Sequence, residues 1–70
     1  MTTPITEAQA KTLAFIVQSQ RENQMPPTRT EIAQHFGWKS ANAAQEHLEA
    51  LERKGAIRLR KNVARGIFVL

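Results

Sequence analysis

The 70-residue chain contains no cysteine and no long apolar run, and both absences narrow its function. Without cysteine there are no disulfides and no cysteine-ligated metal sites. The two isolated histidines, His35 and His47, are too few for a structural zinc site and are expected to lie on helix surfaces. No segment approaches the roughly 18 apolar residues of a membrane helix, and the start does not resemble a signal peptide. A cytoplasmic location is therefore expected.

Motifs for catalysis are also missing. No serine, histidine and acid stand in a recognisable catalytic pattern, and there is no glycine-rich phosphate loop. Repeats, linkers and low-complexity segments are absent, and this length is enough for one small domain. We expect one domain over residues 1–70 that is not an enzyme and uses no metal, cofactor or small-molecule ligand.

The excess positive charge is confined to the second half of the chain. The first 38 residues carry three cations and three acids, whereas residues 39–70 carry seven cations and three acids. The net charge is +4 and the sequence pI is about 10.4. This imbalance suits a polyanionic partner, but a basic surface that serves only solubility would produce it too.

The first helix is predicted over about residues 7–23. Thr6 and Gln9 form a capping box at its start, and the proline pair 26–27 ends it. Phe15 points away from the apolar stripe of this helix, and we expect it to pack on the C-terminal strands. The stripe expected in the core consists of Leu13, Ile16, Val17 and Gln20.

A turn that contains glycine joins the second and third predicted helices. Thr28 and Glu31 form a capping box at the start of the second helix, and Gly37 ends it in a left-handed conformation. Ser40 is a good cap for a third helix over about 41–54. Two helices joined by such a short turn are typical of a helix-turn-helix. The core residues expected from these helices are Ile32, Ala33, Phe36, Ala44, Leu48 and Leu51, with Trp38 as a lid.

After Gly55 the apolar period changes from helical to alternating. Arginines alternate with apolar residues over 56–60, which predicts a strand. Residues 61–66 read as a loop and residues 67–70 as a second short strand. The predicted fold is therefore α+β and mostly α: a three-helix winged helix-turn-helix whose wing is a C-terminal two-stranded β-hairpin.

The leading end of the third helix carries no cation. At about 100° per residue, Leu48 and Leu51 share the side of Ala44, whereas Asn42 and Glu46 lie opposite. In helix-turn-helix proteins this end of the second motif helix enters the major groove, where amides, carboxylates and methyl groups can read base edges. A capped helix with a solvated polar face is the plainer alternative. The candidate base-reading residues are Ser40, Asn42, Ala43, Gln45 and Glu46.

The cations of the second half stand in the turn before this helix, at its far end and on the predicted hairpin, and none lies at the start of the helix. Phosphate contacts supply most of the affinity of a DNA-binding protein, and base contacts supply the sequence information. Any one of these cations could equally be a solvated surface charge. The candidate phosphate and backbone contacts are Thr28, Arg29, Lys39, Arg53, Lys54, Arg58, Arg60, Lys61 and Arg65.

Two stretches resemble the N-terminal DNA-binding domain of the LexA repressors: residues 25–57, which contain MPPTRTEIAQ, SANAAQEHL and RKG, and ARGI at residues 64–67. The resemblance implies a bacterial or phage-encoded, nucleoid-associated repressor that binds inverted-repeat operators on double-stranded DNA, typically those of DNA-damage (SOS) response genes. Binding as a homodimer is possible. The resemblance assigns base reading to the five residues on the outer face of the third helix, and it puts the wing loop near the minor groove.

The chain departs from the LexA pattern in two respects. Gln45 replaces a common acid, and an amide can donate as well as accept hydrogen bonds, so the preferred base is expected to differ. The family's C-terminal serine–lysine self-cleavage domain, which also supplies dimer contacts, is absent from these 70 residues. An isolated domain of a longer self-cleaving protein and a naturally short regulator are both open. A protein-interaction module that modulates a full-length repressor is the alternative function.

Overall fold

The computed structural model describes residues 5–70 and contains three helices followed by a two-stranded sheet. The predicted fold class is confirmed, and the predicted helix bounds agree with the observed ones to within one residue. The elements are α1 (Glu7–Asn23), α2 (Arg29–Phe36), α3 (Ala41–Arg53), β1 (Ile57–Leu59) and β2 (Ile67–Val69).

The helix starts follow the capping residues. The Thr6 hydroxyl accepts from the backbone N–H of Gln9, whose side chain accepts from the Thr6 N–H, so the predicted capping box of α1 is present. Thr28 and Glu31 form the same pair of bonds at the start of α2. Ser40 is the N-cap of α3 as predicted, but its hydroxyl makes no capping bond. That hydroxyl is exposed and not engaged in holding the helix.

The turn between α2 and α3 depends on Gly37. Its φ of 72° lies in the left-handed region, as predicted for the residue that ends α2. The Trp38 N–H then donates to the Ala33 carbonyl at 2.8 Å, which closes the last turn of α2 before the chain enters α3. Helix α1 ends differently, because Gln24 takes the left-handed conformation before the proline pair 26–27 is reached.

The core lies where the three helices and the sheet meet. Its centre consists of fully buried aliphatic side chains, among which Leu48 and Leu51 of α3 confirm the predicted inner face. The sheet contributes from both strands. The buried core cluster is Ile16, Ile32, Ala33, Ala44, Leu48, Leu51, Ile57 and Ile67.

The inner face predicted for α1 was right at Ile16, which is fully buried, and wrong at Gln20, which is exposed. Thr12 and Ser19 are buried in addition. The prediction followed apolarity, which does not identify buried small polar residues. The buried Thr12 hydroxyl is satisfied within the helix, because it donates to the Ala8 carbonyl at 2.8 Å. Leu13 and Val17 lie half-buried at the edge of this face.

Phe15 packs on α2, so the prediction that it contacts the strands was wrong. Its ring stacks on His35 with a centroid distance of 4.0 Å and meets Phe36 edge-on. Trp38 is half-buried against the core, as expected of a lid, and stacks between Phe36 and His47. Each histidine therefore covers an aromatic ring, and a row of five rings links the three helices.

The two strands form an antiparallel hairpin that serves as the wing. Leu59 faces Ile67 across the pair, and the Arg60 N–H donates to the Gly66 carbonyl at 2.7 Å, where the loop begins. The hairpin is tied to α3 as well, since the Leu59 N–H donates to a Glu52 carboxylate oxygen at 2.8 Å. This bond fixes the position of the wing relative to the outer face of α3.

Candidate nucleic-acid interface

The five candidate base-reading residues lie together on the outward side of the start of α3. Ser40, Asn42 and Glu46 are exposed, and Ala43 and Gln45 are half-buried at the edges of the same surface. We call these five residues the reading face; none of them is a cation, although the Arg29 guanidinium contacts Gln45 at its edge. The absence of a capping bond from Ser40 leaves its hydroxyl available to an outside partner.

Gln45 differs from the other four in having internal partners. Its Oε1 accepts from the Arg29 guanidinium at 2.9 Å, and its Nε2 donates to Glu49 Oε2 at 3.1 Å. Arg29 opens α2, and Glu49 is one turn farther along α3. The side chain of Gln45 is thus held between the two motif helices.

Five of the candidate phosphate contacts are exposed. They lie in the turn before α3, at the end of α3 and on the wing, and two of them, Arg60 and Lys61, line the groove beside α3. We call them the outer cations. They are Lys39, Arg53, Arg58, Arg60 and Lys61.

The other candidate phosphate contacts have internal roles. The Thr28 hydroxyl caps α2, and Arg29 bonds Gln45. Lys54 is half-buried and donates to Gln9 Oε1, which ties the end of α3 to the start of α1. The sequence predicted phosphate contacts for these residues from their charge and position alone, and neither property reveals contacts inside the protein.

Arg65 makes the most extensive of these internal contacts. Its guanidinium donates to both carboxylate oxygens of Glu31, at 2.8 and 3.0 Å, and also to the Pro26 carbonyl at 2.9 Å. The wing is thereby attached to the segment that leads into α2. The Arg65 bonds, followed by the bond from the Thr28 N–H, lower the pKa of Glu31 from 4.5 to about 2. The pairing likewise raises the pKa of Arg65.

Three acidic side chains hold other residues of this surface in place, a role that was not predicted from the sequence. Glu31 holds Arg65, Glu49 holds Gln45, and Glu52 holds the wing backbone. The spacing of four residues between Gln45 and Glu49 was a readable signal for a pair on one helix face. No local signal pointed to the contact between Glu31 and Arg65, which are 34 residues apart.

A groove of about 610 Å³ separates α3 from the wing loop. Gln45 and Glu49 lie on its helix side, and Lys61 and Asn62 lie on its wing side. Asn62 has a left-handed φ of 62°, which turns the loop. Of the reading face, Gln45 therefore lies opposite the wing loop across a concave surface.

Neither a cluster of metal-ligating side chains nor a membrane-spanning helix is found among residues 5–70. Within this range, no three histidine or acidic side chains are grouped closely enough to hold a metal ion. None of the three helices is sufficiently long and apolar to cross a membrane.

Comparisons with known proteins agree with this geometry. The family model of the LexA DNA-binding domain matches residues 2–66. The chain is 55% identical over 64 residues to the LexA repressor of Pseudoalteromonas atlantica and 56% identical over 63 residues to LexA repressor 1 of Pseudomonas putida. These matches cover 91% and 90% of the chain but 31% of each relative. The LexA repressor of Aeromonas hydrophila is 52% identical over 67 residues, 96% of the chain and 32% of that relative. The chain spans about a third of the relatives it matches, and it belongs to the LexA DNA-binding domain family.

Proposed function

We propose that this chain binds double-stranded DNA in a sequence-specific manner and represses transcription as a LexA-type regulator. One observation carries the proposal: the exposed start of α3 has no cation of its own, whereas exposed cations stand in the turn before it, at the end of α3 and on the wing. DNA presents neutral base edges inside a groove bordered by phosphates, so this charge pattern is complementary to it. The chain acts by binding, without a catalytic step of its own.

The start of α3 enters the major groove in this proposal. Asn42 and Gln45 are able to pair with adenine, and Glu46 is able to accept from the exocyclic amine of cytosine. The Ala43 methyl can contact a thymine methyl, and its small size, like that of Ser40, allows close approach. The outer cations bind phosphates on both sides of this contact and fix its register.

Paired variants test the division between base and phosphate contacts. Asn42→Ala should cost about 1–3 kcal/mol on a preferred duplex and little on random DNA. Lys61→Ala should weaken binding to both duplexes alike, because a phosphate contact carries no sequence information. Fluorescence anisotropy with the two duplexes measures both effects. Equal losses for Asn42→Ala on the two DNAs would refute base reading.

The operator and the assembly are a further part of the proposal. The resemblance supports an inverted-repeat operator of damage-response genes, bound by two chains in the cytoplasm at the nucleoid. A selection of bound sequences from a random duplex pool tests this. Two half-sites in inverted orientation, with centres one or more helical turns apart, would support binding as a dimer. A single half-site would contradict dimeric binding by this chain.

A protein-interaction module is the second candidate function. Of the apolar end Ile67 to Leu70, Ile67 is buried, but Phe68, Val69 and Leu70 have 47%, 44% and 69% of their surfaces exposed. They are able to contact a protein partner, including a full-length repressor. Titration with random DNA at moderate salt separates the two functions. Absence of any DNA binding would favour the protein partner.

A further inference from the structure

A base-reading role for Gln45 rests on the proposed DNA-binding function. Gln45 lies at the edge of the reading face, between Arg29 of α2 and Glu49 of α3. Arg29 and Glu49 are exposed, whereas Gln45 is half-buried. Its amide therefore has a defined position at the surface that faces DNA, which an isolated exposed glutamine would not have.

The chemistry of its two neighbours fixes which way the amide points. A guanidinium can only donate hydrogen bonds, so the atom beside Arg29 must be the amide oxygen. A carboxylate can only accept, so the atom beside Glu49 must be the amide nitrogen. Rotation of the amide by 180° would place donor against donor and acceptor against acceptor. The two contacts thus exclude the flipped amide.

The held amide retains unused hydrogen-bonding capacity of both kinds. An amide oxygen accepts two bonds and an amide nitrogen donates two, and each atom uses one here. One acceptor position and one N–H remain. In the major groove adenine offers an N6–H donor beside the N7 acceptor, whereas guanine offers two acceptors and cytosine a donor. Of these edges, adenine matches the remaining pair of groups.

We propose that Arg29 and Glu49 are positioning residues that hold Gln45 as a reader of adenine. Arg29 then contributes to sequence selectivity through Gln45, and this contribution differs in kind from a phosphate contact. Glu49 contributes in the same way, although its charge opposes DNA binding in general. The selectivity assigned to Gln45 thereby depends on a residue from each of the two motif helices.

Selection from a randomised duplex pool tests the proposal with the 70-residue chain and five single variants. Gln45→Ala should abolish the preference for adenine at one base pair of the half-site and leave the other positions unchanged. Arg29→Gln and Glu49→Ala should weaken the preference at that same base pair. Arg29→Lys retains a donor and should therefore show a stronger preference at that base pair than Arg29→Gln does. Lys61→Gln is the matched control and should lower affinity without altering any preference.

Direct competition between two duplexes measures the size of the preference for adenine. The wild-type chain should bind the selected duplex about 10-fold to 100-fold more tightly than a duplex with guanine in place of that adenine. Arg29→Gln should reduce this ratio at least about threefold, and the Arg29→Gln/Gln45→Ala double variant should reduce it no further than Gln45→Ala alone. Thermal unfolding of each variant checks that the chain remains folded.

Three results would overturn the inference while leaving the proposed function intact. The base at the Gln45-dependent position could be other than adenine. Arg29→Gln could weaken all duplexes equally, as loss of a phosphate contact would. The effects of Arg29→Gln and Gln45→Ala could also add fully, which would make the residues independent. Failure of the wild-type chain to enrich any sequence would instead contradict the proposed function itself.

Discussion

Replacement of Arg65 by methionine tests whether this residue attaches the wing to α2 or binds phosphate. Methionine retains an unbranched side chain of similar reach but removes the charge and every donor. The Glu31 carboxylate would then lose both of its bonds from the wing. It would keep the bond from the Thr28 N–H at 2.8 Å, because that bond lies within the capping box.

The expected change in the pKa of Glu31 follows from the contributions of Arg65 and Thr28. The pKa of Glu31 falls from 4.5 to about 2, with Arg65 as the largest cause and the Thr28 N–H as the second. Arg65 therefore accounts for the larger share, and an adjacent arginine lowers a carboxyl pKa by about 1–3. In Arg65→Met the pKa of Glu31 should rise by more than about 1. It should remain below 4.5 because Thr28 still donates.

Carbon-detected NMR titration of the glutamate carboxyl groups measures this pKa directly. Lys61→Met is the control, because it removes a cation of the same wing loop that does not bond Glu31. The pKa of Glu31 should stay near 2 in this variant. A wild-type Glu31 that titrates near 4.5 would refute the paired geometry. So would an unchanged pKa in Arg65→Met, because the carboxylate would then owe its low value to the cap alone.

The same pair sets a direction for stability against pH. Because folding lowers the pKa of Glu31, its contribution is fully present above the unfolded value of 4.5 and is lost as pH falls toward about 2. The side chains of Glu31 and Arg65 keep 45% and 39% of their surfaces exposed, so solvent screens the pair and the effect on global stability should be small. Loosening of the wing, seen as faster amide exchange in β2, should accompany protonation of Glu31.

Three further predictions concern caps, core and wing. Thr28→Ala should destabilise the fold by about 1 kcal/mol, whereas Ser40→Ala, which removes no capping bond, should change the melting temperature little; thermal unfolding compares them. Leu51→Ala should cost about 2–5 kcal/mol in urea unfolding, since Leu51 is fully buried. Gly66→Ala should distort the wing and weaken DNA binding, because a Cβ there would lie 2.7 Å from the Arg60 carbonyl oxygen; anisotropy and NMR of β2 would detect it.

Local signals were sufficient to predict most of the fold. The capping boxes at Thr6 and Thr28 and the turn glycine Gly37 act within a few residues, so their positions in the sequence determine the helix bounds. The inner face of α1 was harder to predict, because burial of Thr12 and Ser19 depends on how closely α1 approaches its neighbours. Apolarity alone favours larger side chains and does not report interhelical distance.

The candidate site shows the same limit more clearly. The reading face was predicted because five consecutive or nearly consecutive residues share one side of one helix. The partners of Arg29, Lys54 and Arg65 were not predicted, because each lies on another element 16 to 45 residues away. A basic residue looks the same in sequence whether it meets solvent, phosphate or an internal acid. Tertiary contacts decide among these.

These internal contacts bear on the salt dependence of DNA binding, for which the sequence predicts a slope of about −4 to −5 if five phosphates are engaged. Each neutralised phosphate contributes about −0.9 to the slope of log affinity against log salt concentration. Eight cations were candidates from sequence, which would give about −7 per chain if all bound phosphate. Arg29, Lys54 and Arg65 already have partners within the chain, and the five outer cations alone would give about −4 to −5. The slope is measured between 50 and 200 mM salt, a range over which the Debye length shortens about twofold. It therefore distinguishes the two cases. Lys61→Met should make the slope shallower by about 1, and Arg65→Met should leave it unchanged. A wild-type slope near −7 per chain would mean that DNA breaks the internal pairs, and the wing would then be released from α2 on binding.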